Sequence, residues 1–130
     1  FGDPETQVLL PRLRSDLLEN MTQAINRQEV KLDFAPQVCM TTILVSDGYP
    51  KSYQSGFEIQ GLDSLEADTL VFHNGTRQKD GHLITAGGRV LSIVALDESL
   101  PKARQKAYDE IKKIDFENMR FRTDIGILRE

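Results

Sequence analysis

Apolar residues recur at helical spacing near the start of the chain. Leu10, Leu13, Leu17, Met21 and Ala24 stand three or four residues apart, with Arg12, Arg14, Asp16, Glu19 and Asn20 on the other faces. The pattern predicts one amphipathic helix from Leu10 to Asn26, about four or five turns long. Pro11 falls in its first turn, where a missing amide matters least, so the loop from Gly2 to Thr6 leads straight into the helix N-terminus. From Val38 to Ser46 the run VCMTTILVS is rich in β-branched residues and ends at DGYP, a strand followed by a turn at Asp47, Gly48 and Pro50. In GFEIQG, Phe57 and Ile59 alternate with polar neighbours, as in a short half-exposed strand from Gly56 to Gly61.

The strongest β signal lies between Leu70 and Leu96. An apolar run from Leu70 to Phe72 is followed by a turn at Lys79-Asp80-Gly81, a short strand around Leu83 and Ile84, and a longer strand from Val90 to Leu96. The Asp-Gly pair supplies the positive φ of a hairpin turn, so antiparallel neighbours follow. A second helix is expected from Leu100 to Lys113, with Ser99 as cap, Pro101 in the first turn, and Leu100, Ala103, Ala107, Ile111 and Ile114 on one face. Beyond it Met119, Phe121 and Thr123 alternate with arginines, a last short strand ending at a Gly126 turn. The expected class is α+β, mainly antiparallel, with one helix before the strands and one after, and no internal repeat.

Length and composition narrow this picture. A chain of 130 residues forms one core. Twenty acidic against sixteen basic residues give a net charge of −4, which excludes a surface built for nucleic acid. The single cysteine, Cys39, has no partner for an internal disulfide and reads as a small buried hydrophobe. No apolar stretch approaches the ~20 residues of a membrane span, so a soluble, cytoplasmic protein is expected, with no membrane partner. Phe1 and Gly2 stand where an initiator methionine would, which suggests a processed product or a fragment.

Few residues invite a chemical reading. TAGGRVL lacks the spacing and the Lys-Ser/Thr of a phosphate loop, and its glycines suit a tight bend. His73 and His82 have no partner at metal-ligand spacing and read as strand or turn histidines, and no metal site is expected. In the opening loop, Asp3 and Glu5 flank Pro4. Two roles fit them: charges that complement a helix dipole, or acids that meet a polar substrate while free helix amides meet a phosphate.

FGDPETQ at the start resembles the signature of glycinamide ribonucleotide synthetases, the phosphoribosylamine-glycine ligases of purine biosynthesis in the ATP-grasp superfamily. LRSDLL at Leu13, DGYP at Asp47, FHNGT at Phe72, GGRVL at Gly87 and RTDIG at Arg122 continue the likeness in order, over essentially the whole chain. Asn74, where the family usually has a small residue, and Ile127-Leu128-Arg129 after Gly126 are departures. The resemblance implies an enzyme in which ATP, with Mg²⁺ (or Mn²⁺), drives the joining of phosphoribosylamine and glycine. In the family a Glu-x-Asn-x-Arg stretch ahead of the signature holds the metal.

This chain then looks like the carboxy-terminal part: residues 1–30 the closing loop and helix of the ATP-grasp domain, residues 31–130 a β-rich, hybrid-type carboxy-terminal domain. Neither ATP nor metal is expected on it alone, and it supplies no catalytic residue. The first helix should show an apolar face poorly covered by its own chain. The resemblance assigns Asp3 and Glu5 to phosphoribosylamine binding. Arg89 of GGRVL is a further substrate-binding candidate that lines the cleft or braces the domain interface; the other reading is a structural arginine paired with an acid. The rival expectation is a stand-alone β-rich binding module without catalytic duty.

Overall fold

The computed structural model describes residues 2–127; Phe1 of the opening motif and Leu128 and Arg129 after the Gly126 turn lie outside the described residues. Three helices and six strands follow in chain order: α1 (Thr6–Leu9), α2 (Leu17–Ile25), β1 (Val38–Ser46), β2 (Leu70–His73), β3 (Thr76–Lys79), β4 (His82–Thr85), β5 (Arg89–Asp97), α3 (Leu100–Ile111) and β6 (Met119–Arg120). The main sheet has the order β2-β5-β1-β6, and β3 and β4 form a separate hairpin. All pairings are antiparallel. Asp80 and Gly81 turn the hairpin with φ of 49° and 84°, as the Asp-Gly pair predicts.

The ladder between β1 and β5 runs from Val38 opposite Asp97 to Val45 opposite Arg89. Met40, Thr42, Leu44 and Ser46 of β1 are buried, while Cys39, Thr41, Ile43 and Val45 on the other face are half-buried. Central β5 is buried from Val90 through Ala95. On one side α3 sets Ala103 and Ala107, both fully buried, against Met40 and Ala95, small residues that let helix and sheet approach closely. Ile111, Ile114 and Phe116 continue this face onto Leu44, Leu91 and Ile93.

Sequence periodicity fails at the first helix. Instead of one helix over Leu10–Asn26, α1 passes into a single 3₁₀ turn at Leu10–Arg12, the chain straightens at Leu13, and α2 begins afresh after Asp16. Leu13 bridges Phe34, the Arg14 N–H donates to Asp33 O at 2.8 Å, and the Ala35 N–H donates to Arg12 O at 2.7 Å. This short β-like pairing takes backbone groups that a continuous helix would use. Asp16, in extended geometry, accepts the Glu19 N–H and caps the restart. The fold thus carries two helices before the sheet rather than one. On α2, Leu18 and Ile25 are 75% and 82% exposed, so its apolar face is uncovered among the described residues.

Three further expectations are modified. The Gly56–Gly61 segment alternates as expected, with Ile59 buried, yet makes only two isolated bridges, Glu58 to Ile84 and Gln60 to Asp115, because it crosses from the hairpin to the segment after α3. Ser99 occupies the N-cap position of α3 without a side-chain capping bond. The last strand stops at Arg120 instead of continuing to Thr123: Arg104 donates to Ile125 O (3.0 Å) and Thr123 O (2.6 Å), and Tyr108 donates to Arg122 O (2.7 Å), drawing the tail off the sheet.

One buried charge ties the loop before β2 to α3. Glu110, 3% exposed, accepts the Glu66 N–H at 2.8 Å and a Lys113 ammonium proton at 2.7 Å. Burial pushes its carboxyl up, but these hydrogen bonds outweigh it and hold it below its ordinary value of 4.5. Removing the carboxylate with Glu110→Ala is expected to destabilise the fold by about 2 kcal/mol in denaturant unfolding. Because the folded value is depressed, this stabilisation is present above 4.5 and fades as pH falls through the folded value. The stability advantage over Glu110→Gln should therefore hold at pH 7 and shrink as pH falls below 4.5.

Candidate functional site

Four of the short motifs singled out above, FGDPETQ, DGYP, FHNGT and GGRVL, far apart in sequence, meet at one end of the β1–β5 ladder. A β-bulge brings them there. Leu44 faces Leu91 while Val45 faces Arg89, so Val90 is the extra residue. A bulge re-aims the side chains around it: Val90 is driven fully into the core, and Arg89 swings to the face it shares with half-buried Val45. On that face the opening loop lies across the sheet, and Arg89 Nη2 donates to Asp3 Oδ2 in an ion pair spanning 86 residues. The hydrogen bond to Asp3 raises the Arg89 guanidinium further above its ordinary value. Arg89 keeps about a third of its side chain exposed and Asp3 more than half.

Close backbone approach assembles the remaining motifs. Gly75 and Gly87 pack so tightly that a Cβ on Gly75 would lie 2.9 Å from Gly87 Cα. Gly88 is covered by the ring of Tyr49, and the Ser46 hydroxyl donates to Gly87 O at 3.1 Å, which joins DGYP to GGRVL. Asn74 donates to the Ser92 hydroxyl at 2.7 Å and accepts from Gln7 Nε2 at 3.3 Å, so α1 is fastened over the outer face of β5. The Asn74 side chain, a departure in the sequence, is thus used structurally.

Glu5 is exposed beside the ion pair, its carboxylate folded back over Gly2 and without a hydrogen-bond partner among the described residues. The expectation of helix amides open to a phosphate does not hold. The Thr6 N–H donates to Gly2 O, that of Gln7 to Pro4 O, and those of Val8 and Leu9 to Glu5 O. One turn of helix has no free N-terminus left for an anion.

A cavity of about 720 Å³ opens beside this loop, bordered by Pro4, Val8, Tyr49, Arg89, Arg120 and Phe121 among others. Cys39 lines it and is half-buried rather than buried; burial pushes its thiol up, with Arg12 opposing, which leaves a poor nucleophile. His73 contacts the Thr76 hydroxyl at 3.0 Å and His82 the Glu58 carboxylate at 2.7 Å, both at the surface. Among the described residues no group of three or more His, Cys, Asp or Glu could hold a metal ion. No helix among them is long and apolar enough to cross a membrane. Sequence reasoning brought Asp3, Glu5 and Arg89 forward but passed over Tyr49 and Gln7; only the place of Tyr49 inside DGYP signalled it.

Comparison with known proteins gives this geometry a context. Residues 39–128 match the model of the family described as phosphoribosylglycinamide synthetase, C domain. The phosphoribosylamine-glycine ligase of Halalkalibacterium halodurans is 44% identical over 97% of this chain and 29% of its own length. The trifunctional purine biosynthetic protein adenosine-3 of Gallus gallus is 42% identical over 97% of the chain and 13% of its own length. In the crystal structure of phosphoribosylamine-glycine ligase from Thermotoga maritima, 31% of that chain superposes on 95% of this one with a TM-score of 0.83 at 30% identity. The chain thus spans less than a third of the length of these relatives.

Gly88 tests how the site is assembled. A Cβ there would stand 2.1 Å from Tyr49 Cδ2, so Gly88→Ala must displace the ring. The expected result is a loss of about 1–3 kcal/mol in thermal or denaturant unfolding, with the near-ultraviolet tyrosine signal altered.

Proposed function

Since the chain belongs to the phosphoribosylglycinamide synthetase C-domain family, we propose that it acts as the carboxy-terminal part of a phosphoribosylamine-glycine ligase. The whole enzyme would join phosphoribosylamine and glycine at the expense of ATP, giving glycinamide ribonucleotide, ADP and phosphate in purine biosynthesis in the cytoplasm. The observation that carries this reading is the likeness to such ligases over 97% of the chain. On this reading residues 1–30 are the closing loop and helix of the ATP-grasp domain and residues 31–130 the carboxy-terminal domain.

In the proposed reaction the glycine carboxylate is phosphorylated by ATP, and the amine of phosphoribosylamine displaces phosphate from the acyl phosphate. Such chemistry depends on positioning more than on a side-chain nucleophile. Mg²⁺, bound with ATP by the remainder of the ligase, would neutralise phosphate charge; no step is assigned to a metal on this chain. The part given to this chain is binding. A carboxylate offers about four acceptor positions, and Arg89 occupies one on Asp3. The remaining lone pairs of Asp3, with exposed Glu5, would accept from the hydroxyls or amine of phosphoribosylamine, while Arg89 fixes the loop and offers its unused donors to the same substrate.

The test is Asp3→Asn in the full-length ligase, with each Michaelis constant and the turnover number measured separately. Loss of a charge-assisted hydrogen bond, about 1.5–3 kcal/mol, should weaken use of phosphoribosylamine by roughly ten-fold to over a hundred-fold. The constants for ATP and glycine should hardly move. If phosphoribosylamine kinetics are unchanged while the melting temperature falls, the Asp3–Arg89 pair is a structural brace and the substrate assignment fails.

A further inference from the structure

The cavity beside the opening loop continues along the free edge of β1. Its border includes Cys39, Met40, Thr41, Thr42 and Ile43 in unbroken succession. Successive side chains of a strand point to opposite faces, so consecutive residues border one space where that space follows the strand's edge. The edge is open there: β6 pairs with β1 only at Val45 and Ser46, and among the described residues no other strand or bridge reaches it. The Ser46 N–H goes to Gly88 O on the β5 side. By the alternation of an antiparallel ladder, Leu44, Thr42 and Met40 also address β5, and Ile43, Thr41 and Cys39 direct their N–H and C=O groups into the cavity.

The far wall is the tail, which Arg104 and Tyr108 hold away from the sheet by its carbonyls. Instead of closing onto β1, the tail leaves a slot. Among the described residues the cavity border carries Arg89, Arg120 and Arg122 and no Asp or Glu. Asp47 lies 3.4 Å from Arg120, and Asp124 accepts two bonds from Arg122. Five donors per guanidinium leave further bonds to make at each. A row of unpaired strand groups in an apolar slot is the arrangement that strand addition uses.

We propose that an extended, acid-bearing segment of the full-length ligase, from outside the stretch this chain spans, adds to β1 as a strand and sets a carboxylate against Arg120 and Arg122. The inference rests on the ligase reading above; the relatives carry most of their length beyond the stretch matched here, with 29% and 31% matched in two of them. Three outward backbone pairs at two-residue spacing match the repeat of another strand. A compact small molecule would satisfy one pair at most.

Amide hydrogen exchange on the full-length ligase, resolved to single residues and without added substrates, tests this. Cys39, Thr41 and Ile43 should exchange at least roughly a hundred-fold more slowly than Asp80 and Gly81 at the exposed hairpin turn. In the double variant Arg120→Glu, Arg122→Glu, those three amides should accelerate about ten-fold or more, while Met40, Thr42 and Leu44, bonded to β5, keep their rates. Should that variant lose its fold, Arg120→Gln with Arg122→Gln gives the same reading. Fast exchange at the three edge amides in the unaltered ligase overturns the proposal. So does slow exchange that the arginine changes leave untouched, or slow exchange that begins only when ATP, glycine or phosphoribosylamine is added. Glycinamide ribonucleotide formation by the same preparation separates the two readings: an active ligase with fast edge exchange sinks the added strand alone, and an inactive one with slow exchange sinks the ligase assignment alone.

Discussion

The antiparallel ladder between β1 and β5, with one residue too many on the β5 side, is the constraint on which the rest of the molecule hangs. β5 lies in the middle of the sheet and is buried on both faces, so whatever covers it is positioned by it. Helix α3 takes one face through Ala103 and Ala107, and α1 with Asn74 takes the other. The bulge at Val90 then decides the chemistry at the ladder's end. In a regular ladder Val90 would oppose Val45 on the outer face and Arg89 would fall opposite buried Ser46; the extra residue reverses this, placing an apolar side chain inside and a guanidinium beside the opening loop.

What could be read beforehand follows the range of the forces involved. The strands from Val38 and Val90, the Asp80-Gly81 turn and α3 rest on local preference and pattern, and each stands close to where the sequence put it. The first helix was misread because its apolar spacing survives the break: Leu10, Leu13 and Leu17 keep helical intervals although the chain is extended at Leu13 to pair with Phe34. Strand β3, TRQK, has no apolar alternation at all and is set by its hairpin partner. At the site, the resemblance drew attention to Asp3 and Arg89, but nothing local says that they touch. Their ion pair depends on a bulge, and a bulge is a property of two strands in register.

Glycine does its work here by what it permits neighbours to do. Gly75 against Gly87 lets two backbones come into contact where side chains would keep them apart, and Gly88 admits the Tyr49 ring over the strand. Four motifs are drawn into one end of the sheet with no internal disulfide to help, Cys39 being a free thiol. The ion pair closes an arrangement that the backbone has already made narrow.

The tail after β6 is fastened through its carbonyl oxygens, to Arg104 and Tyr108 on α3. Carbonyls are common to all residues, so the instruction for the path of Arg122 to Ile125 is written on a helix some twenty positions earlier, as the separations of 21 and 19 residues for Arg104 record. Of the tail's own side chains, Phe121 and Ile125 add packing against the two core clusters, while the Arg122 guanidinium bonds only within the tail, to Asp124. Arg122 can therefore face the cavity and be altered for what it meets there, while the backbone route of the chain stays bonded to two residues that never enter the tail.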